Sequence, residues 1–230
     1  MKTITIGDIH GKDCWKQIDI SLYDKVIFVG DYLDSFTILP TFQLVNLNDI
    51  IQLKKDNLDK VVLLFGNHDI HYLYYPKYKG SGFQEYLWQD YYDIFKKNES
   101  LFQIAYQIEN YLWTHAGVSR NYLKWLEKQF LTFTKPSLHT SGIGDFLNRT
   151  NDSINREFLH TISLHRGGMD PFGGITWADK KETKKDLILG IHQIVGHSKT
   201  KDIETYGDET SSITYVDCLD TKIKFYEKEI

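Results

Sequence analysis

Short apolar runs alternate along this chain with longer segments whose apolar residues recur every three or four positions. The short runs are rich in β-branched residues, and most of them lack polar alternation. This pattern is typical of strands that are buried on both faces. We therefore predict five strands, at residues 3–6, 26–29, 61–65, 111–113 and 193–195.

The longer segments predict helices at residues 41–55, 119–130 and 151–164. Alternating strands and helices indicate an α/β fold. Two further runs near the end of the chain, 212–216 and 222–226, predict a β-hairpin, so we expect a mixed sheet or a second sheet. The sequence contains no internal repeat and no linker, and its 230 residues fit a single domain spanning 1–230.

A polar cluster follows each of the five predicted strands. Each cluster contains a glycine, which permits a sharp turn and close approach of the backbone. The clusters are Gly7-Asp8-Ile9-His10-Gly11, Gly30-Asp31-Tyr32-Leu33-Asp34, Gly66-Asn67-His68-Asp69, His115-Ala116-Gly117 and Gly196-His197.

Six residues of the clusters offer oxygen or nitrogen donors that could bind two metal ions. Side chains two positions apart at a strand end point the same way, so Asp8 and His10 can reach one ion together with Asp31. The carboxylate of Asp31 can bridge to a second ion, whose ligands would be Asp31, Asn67, His115 and His197. Mixed oxygen and nitrogen ligands suit Mn, Fe or Zn. Two ions about 3.5–4 Å apart would polarise a phosphoryl group and activate a water.

Two further residues of the clusters predict an acid catalyst. His68 is adjacent to the ligand Asn67 on a turn and points away from it, so we expect it to donate a proton rather than bind metal. Asp34 could accept a hydrogen bond from the other ring nitrogen of His68 and keep the ring protonated.

Composition narrows the functional classes. Hydrophobic residues make up 41% and charged residues 25%, as in ordinary globular proteins. The net charge of −4 disfavours general nucleic-acid binding and membrane-surface binding. We find neither a signal peptide nor a membrane-spanning stretch. The two cysteines, Cys14 and Cys218, are far apart in sequence and lack a CxxC pattern, so we expect free thiols. Free thiols are typical of the reducing cytosol, and we therefore expect a cytoplasmic protein.

The ordered clusters resemble the motifs of the calcineurin-like metallophosphoesterases, which read GDxHG, GDxxDRG, GNHE/D, HxG and GH. The similarity is greatest to the phosphoprotein phosphatase branch with its bacterial and phage relatives, and it runs from residue 4 to the tail. It implies a four-layer α/β/β/α sandwich of two mixed sheets flanked by helices, with the metal site at the strand ends. It also implies the ligand and acid roles given above, two divalent ions with Mn preferred, and direct attack of a metal-bound hydroxide.

The sequence departs from this family pattern in two places. Ser35 and Phe36 stand where GDxxDRG has arginine and glycine, so one group that grips the phosphate is missing. We favour Arg166, in a glycine-rich stretch, as its substitute, with Asn67 as the second phosphate-binding residue. The last motif reads Gly196-His197-Ser198-Lys199, so Lys199 stands where many family members have the second histidine of GHxH, as in the phosphoprotein phosphatase branch.

The segment 72–95 carries ten aromatic side chains directly after the Asn67-His68 motif. It could form a substrate-binding wall that stacks on a nucleobase or packs on a peptide. Alternatively, it is a tyrosine-rich helix that packs on the body of the protein or on a partner, which is the interpretation we favour.

Three functional hypotheses follow. The first is a metal-dependent phosphatase for phosphate monoesters, of the Ser/Thr phosphoprotein type. The second is a hydrolase of nucleotides or dinucleoside polyphosphates with the same metal core. The third is a metal-binding scaffold without activity, which only the loss of the motif arginine supports. The partner would be a phosphorylated protein or nucleotide, and neither a membrane nor a nucleic acid is expected.

Overall fold

The computed structural model describes residues 1–131 and 142–230. These residues form two compact units, one comprising Met1–Gln103 with Cys218–Ile230 and the other Ile104–Asp217. Each unit is built around its own five-stranded mixed sheet. The α/β class with two mixed sheets flanked by helices is therefore confirmed, and the single domain 1–230 stays a prediction.

The sheet of the first unit has the strand order β10-β1-β2-β3-β4. Its strands are β1 (Lys2–Ile6), β2 (Lys25–Phe28), β3 (Val61–Leu64), β4 (Phe102–Gln103) and β10 (Tyr226–Glu229). The strands β1 to β4 run parallel, and β10 is antiparallel to β1. Because parallel neighbours end at the same edge of a sheet, the clusters after β1, β2 and β3 meet there.

Three helices belong to the first unit: α1 (Pro40–Asp56), α2 (Asn67–Tyr74) and α3 (Trp88–Lys97). The predicted helix 41–55 is confirmed as α1, with a proline in its first turn. Phe42 and Val45 belong to the apolar pattern that predicted this helix, yet both are exposed. The polar residues Gln43 and Asn46 are buried instead, because they hydrogen bond to the preceding loops.

The sheet of the second unit has the strand order β5-β6-β7-β9-β8. Its strands are β5 (Ala105–Ile108), β6 (Tyr111–Thr114), β7 (His192–Val195), β8 (Glu204–Gly207) and β9 (Ser212–Tyr215). The helices of this unit are α4 (Arg120–Leu131), α5 (Gly142–Asn151) and α6 (Lys180–Thr183). Because β6 and β7 are parallel neighbours, the clusters that follow them lie at the same edge. All five predicted strands and the helix at 119–130 are confirmed.

The helix predicted at 151–164 is wrong. The helix α5 ends at Asn151, and short 3₁₀ turns at Arg156–His160 and Leu164–Arg166 follow it. The hydroxyl of Ser153 donates to the Thr150 carbonyl and accepts from the Asn155 amide. Such local side-chain bonds compete with the helical backbone bonds, which explains why the helix stops.

The hairpin predicted at 212–216 and 222–226 is also wrong. The strand β9 pairs with β7 on one side and with β8 on the other, so neither of its edges is available to the tail. The tail instead forms β10, which closes the first sheet against β1. Within the described ranges, no helix is long and apolar enough to cross a membrane.

Candidate active site

In the first unit, the turns after β2 and β3 are held together by one buried carboxylate. Asp69 accepts hydrogen bonds from the amides of Asp31 at 2.8 Å, Tyr32 at 3.0 Å and Gly66 at 2.8 Å. Burial, together with the negative charge of Asp31, raises the pKa of Asp69 to about 7. The sequence pattern alone does not indicate a role for Asp69. Its position in the first turn of α2, three residues after the N-cap Gly66, is the signal that could have identified it.

The predicted ligands of the first unit are buried or nearly so at the ends of the three parallel strands. Asp8, Asp31 and Asn67 are each 2% exposed. The backbone amide of His10 donates to the Asp31 carbonyl at 2.8 Å, which brings the first two clusters together. His10 Nε2 lies 3.8 Å from Asp31 Oδ2. The structure thus groups these clusters at one sheet edge, as the motif order predicts.

The tautomer of His10 suits a metal ligand. Its Nδ1 donates to the Leu33 carbonyl at 2.6 Å, because a carbonyl can only accept, so Nε2 is left with a lone pair beside Asp31. Burial lowers the pKa of His10 below its usual value. A neutral imidazole is the form that binds a divalent cation. Side-chain donor atoms of His10, Asp31 and His68 all lie within 4.8 Å of one another.

His68 and Asp34, the residues of the predicted acid pair, lie within hydrogen-bonding distance of each other. His68 Nδ1 lies 2.8 Å from Asp34 Oδ2, and the Asp34 side chain is fully buried. Burial by itself lowers the pKa of His68, but the negative charges of Asp31 and Asp34 outweigh it, and the pKa is raised. Burial by itself raises the pKa of Asp34, but hydrogen bonds from His68 and His71 outweigh it, and the pKa is lowered. A protonated His68 beside an ionised Asp34 is suited to donating a proton from Nε2.

Two residues that the sequence did not single out also contact Asp34. His71 Nε2 lies 2.8 Å from Asp34 Oδ2, and the Tyr72 hydroxyl donates to Asp34 Oδ1 at 2.5 Å. Residues three and four positions apart share a face of a helix, so the spacing from His68 could have placed both beside the acid pair. Tyr72, Tyr91 and Phe95 are buried, so the aromatic segment 72–95 packs largely into the first unit.

The position of the missing motif arginine has a structural role. The Ser35 hydroxyl accepts hydrogen bonds from the amides of Thr37 and Ile38. Buried Gln43 accepts from the Ser35 amide and donates to the Ile38 carbonyl. These bonds define the turn that leads from Asp34 into α1. Ser35 therefore shapes this turn, and its short side chain carries no charge for a phosphate.

In the second unit, the two predicted histidine ligands are neighbours. His115 follows β6 and His197 follows β7, and His115 Nε2 lies 3.2 Å from His197 Nδ1. The Gly196 amide donates to the His115 carbonyl at 2.8 Å and fixes the spacing of the two turns. Two nitrogens bound to one cation at about 2.0–2.1 Å are separated by roughly 3.0–3.4 Å, so this pair fits a shared metal ion.

Arg166 lies in the second unit next to the last motif. Its Nε pairs with Asp179 Oδ2 at 2.9 Å, and its Nη2 donates to the hydroxyl of Ser198 at 2.8 Å. Ser198 directly follows His197, and Asp179 lies two residues after Trp177. The guanidinium is therefore held by Asp179 and by the residue that follows the predicted ligand His197.

The donor set in each unit fits the metal ions that the sequence implies. The first unit offers two buried carboxylates, an amide and a neutral imidazole, and the second unit offers two imidazoles at a suitable separation. No thiolate takes part, because Cys14 and Cys218 lie outside these clusters. Such a set suits Mn, Fe or Zn.

Comparison with known proteins agrees with this chemistry. The family model of the calcineurin-like phosphoesterases matches residues 1–207, and the chain belongs to this family. A cold-active protein-tyrosine phosphatase of a psychrophilic Shewanella species has a similar structure, with a TM-score of 0.61 and 17% identity over 98% of this chain and 74% of that one. A further structure described as a cold-active protein tyrosine phosphatase gives a TM-score of 0.56 and 16% identity, over 98% of this chain and 73% of that one. Curated protein sequences give no match.

Family membership fixes the general activity. The chain is a metal-dependent phosphoesterase, a phosphoric ester hydrolase that acts on phosphorylated substrates. The structural neighbours support the same fold, and at 16–17% identity they support the fold alone. This membership favours an enzyme over the non-catalytic scaffold.

Proposed function

We propose that this protein hydrolyses phosphate monoesters with a pair of divalent metal ions, of which Mn²⁺ is the first candidate. When bound, the ions supply an activated water and offset the negative charge of the phosphoryl group. The proposed ligands are Asp8, His10, Asp31 and Asn67 of the first unit and His115 and His197 of the second. Water attacks phosphorus directly in this proposal, and no phosphoenzyme forms.

The observation that carries the proposal is the pairing of His68 with Asp34. A leaving alkoxide needs a proton, and His68 can supply it from Nε2 while its Nδ1 stays bonded to Asp34 at 2.8 Å. General acid catalysis of this kind contributes about 10²–10⁴-fold to the rate. A site that only bound metal would have no use for a buried carboxylate that keeps a histidine protonated.

Two groups are proposed to bind the phosphate. Asn67 offers an amide at the start of α2, and Arg166 offers a guanidinium oriented by Asp179 and Ser198. The guanidinium matches two phosphate oxygens, and its ion pair with Asp179 leaves further N–H donors on the group. Arg166 thereby takes over the role of the family arginine, whose position holds Ser35.

Phosphorylated protein is the proposed substrate class, with phosphoserine and phosphothreonine expected from the similarity to the phosphoprotein phosphatase branch. Two structural neighbours are described as tyrosine phosphatases, so phosphotyrosine belongs in the same comparison. We expect the protein to act in the cytoplasm, because its two cysteines are free thiols.

The test is turnover of an aryl phosphate by the purified protein after removal of metal and reloading with Mn²⁺, Fe²⁺, Zn²⁺ or Mg²⁺. His68→Asn is the matched variant, because it keeps a polar side chain but cannot donate the same proton. We expect at least about a 100-fold loss of kcat in this variant, with both metal ions still bound. Wild-type protein that is inactive with every metal contradicts the proposal, as does a His68→Asn variant with full activity.

A second candidate, hydrolysis of dinucleoside polyphosphates, is favoured by one observation. Ser35 provides no cation where the family grips a monoester phosphate, and its hydroxyl is engaged in the turn before α1. Rates on phosphoserine, phosphothreonine and phosphotyrosine peptides and on a dinucleoside tetraphosphate separate the candidates. A higher kcat/KM for the tetraphosphate than for every peptide would replace the first candidate with the second.

A further inference from the structure

Asp34 is a buried carboxylate that is held from three sides. It accepts from His68 and Tyr72, and it also lies in contact with His71. Its backbone φ of 65° is in the left-handed region, which a non-glycine residue adopts at a cost of about 1–3 kcal/mol. A buried charge in a strained backbone persists only where its partners fix it. The partners of Asp34 therefore determine where its carboxylate points.

The tautomer of His71 follows from its second contact. The amide of Gly80 donates to His71 Nδ1 at 3.3 Å, so Nδ1 has the lone pair and Nε2 has the hydrogen. That Nε2 lies 2.8 Å from Asp34 Oδ2, the same oxygen that accepts from His68. The His71 side chain is fully buried. It thus lies in close contact with the oxygen of Asp34 that orients the proposed acid.

The direction of the Tyr72 hydroxyl is fixed in the same way. The amide of Gln84 donates to the Tyr72 oxygen at 3.0 Å, so the hydroxyl hydrogen is directed to Asp34 Oδ1. His71 and Tyr72 therefore hold different oxygens of one carboxylate. Together they prevent rotation of the Asp34 side chain away from His68.

A short loop, residues 80–84, supports both partners. Phe83 stacks on Tyr72 with ring centroids 4.9 Å apart and contacts the edge of His71 at 4.9 Å. A Cβ atom at Gly82 would lie 3.1 Å from Asp34 Cβ, so the loop covers the carboxylate closely. This loop comes after α2 in sequence, and it connects the aromatic segment to the acid pair.

We propose that His71 and Tyr72 are positioning residues that hold Asp34, and through it His68, in the orientation needed to protonate the leaving group. This inference rests on the proposed role of His68 in phosphoester hydrolysis. Tyr72 and Phe83 of the aromatic segment would then orient Asp34, which is neither a substrate-binding wall nor packing alone. The side chains of His71 and Tyr72 are fully buried and contact Asp34, so each would act through Asp34.

The kinetic test uses two substrates that differ in their need for a proton. Phenyl phosphate has a poor leaving group, whereas para-nitrophenyl phosphate has a good one and depends less on general acid catalysis. We expect Tyr72→Phe and His71→Leu to lower kcat for phenyl phosphate by about 10-fold or more and for para-nitrophenyl phosphate by less than about 3-fold, with KM little changed. Equal losses on the two substrates would overturn the proposal.

Two further variants separate positioning from loss of packing. Tyr91→Phe is the matched control, because Tyr91 is 1% exposed and packs against Tyr72, while its hydroxyl bonds to none of the described residues. It should keep the wild-type ratio of the two rates. His71→Gln retains an N–H near the position of Nε2 and should restore part of the phenyl phosphate rate lost in His71→Leu. A Tyr91→Phe variant that matched Tyr72→Phe would refute the proposal.

A second readout needs no activity. In metal-free protein, the Nδ1 proton of His68 should give a downfield, slowly exchanging NMR signal, because it is bonded to buried Asp34. That signal should broaden or disappear in Tyr72→Phe and His71→Leu and persist in Tyr91→Phe. If it persists in all three variants, the positioning role is wrong. If wild-type protein has the signal but hydrolyses no phosphoester, the proposed function fails while the positioning role stands.

Discussion

At the scale of single residues, the candidate site is built from strained backbone. Five non-glycine residues in the described ranges have positive φ, and four of them are predicted site residues: His10, Asp31, Asp34 and His197. Each such residue costs about 1–3 kcal/mol. The left-handed backbone at these residues directs neighbouring side chains of one cluster toward the same site. Because such strain costs stability, its concentration at these positions points to a functional role.

The charge state of His68 provides one prediction at this scale. Its pKa is raised because the charges of Asp31 and Asp34 outweigh the effect of burial, so metal-free protein should keep His68 protonated above the usual pH range of a histidine. Asp34→Asn removes one negative charge and should lower that pKa. An NMR titration of the histidine ring protons in metal-free protein measures both values. An unchanged pKa in Asp34→Asn would contradict the assigned pairing.

The proposed role of Arg166 gives a second prediction at the scale of single residues. Arg166→Ala should lower kcat/KM by about 10- to 100-fold, mainly through KM, because a charge-assisted bond to phosphate contributes about 1.5–3 kcal/mol. Steady-state kinetics on a phosphopeptide measure this. The control is Arg120→Ala, which breaks a comparable arginine ion pair to Asp186 in the same unit. Equal KM values for wild type and Arg166→Ala would contradict the proposed contact between Arg166 and the phosphate.

At the scale of elements, the turns after β2 and β3 touch each other. Gly30 has φ of 104°, and a Cβ atom there would lie 2.4 Å from the amide nitrogen of Gly66. No side chain fits at that separation. The glycine of the second motif is therefore required by contact between two turns as well as by backbone conformation.

Gly30→Ala should consequently be much more destabilising than an alanine at an open glycine. We expect a loss of about 2–4 kcal/mol in the free energy of unfolding, from backbone strain plus the clash. Gly190→Ala is the matched control, because Gly190 also has positive φ but no neighbouring atom within 4 Å of the added Cβ. It should lose about 1 kcal/mol. Urea unfolding of metal-free protein tests the difference, and equal losses would contradict it.

At the scale of the whole molecule, metal binding should stabilise the folded chain. Ions that bind the native state at 100 times their dissociation constant add about 2.7 kcal/mol, which corresponds to a rise in Tm of roughly 5–10 °C for a protein of this size. Thermal unfolding with Mn²⁺ and with a chelator measures the shift. Asp31→Asn and His115→Ala should each reduce it, because each removes a proposed ligand. The absence of any shift in wild-type protein would contradict the metal assignment.

The sequence predicted the local elements and the chemistry well for identifiable reasons. Strands such as 61–65 are continuous apolar runs between glycine and polar residues, a signal that needs no tertiary information. The ligand types at 8, 10, 31, 67, 115 and 197 follow from motif order and stay predictions, whereas the family match bears out the class of enzyme. The errors at 151–164 and in the tail arose where side-chain hydrogen bonds or strand pairing overruled local pattern.

The sequence by itself thus determined the fold class and the family and proposed a set of donor atoms, because these depend on residue type and spacing. Only the tertiary structure decided which groups surround Asp34. Tyr72 donates to Asp34, and its hydroxyl is oriented by the Gln84 amide, as His71 is by the Gly80 amide, from a loop whose path no periodicity encodes. It also decided that Ser35 supports a turn and that Arg166 meets Ser198. These contacts depend on which backbone atoms come within hydrogen-bonding distance, and that is set by packing rather than by local sequence.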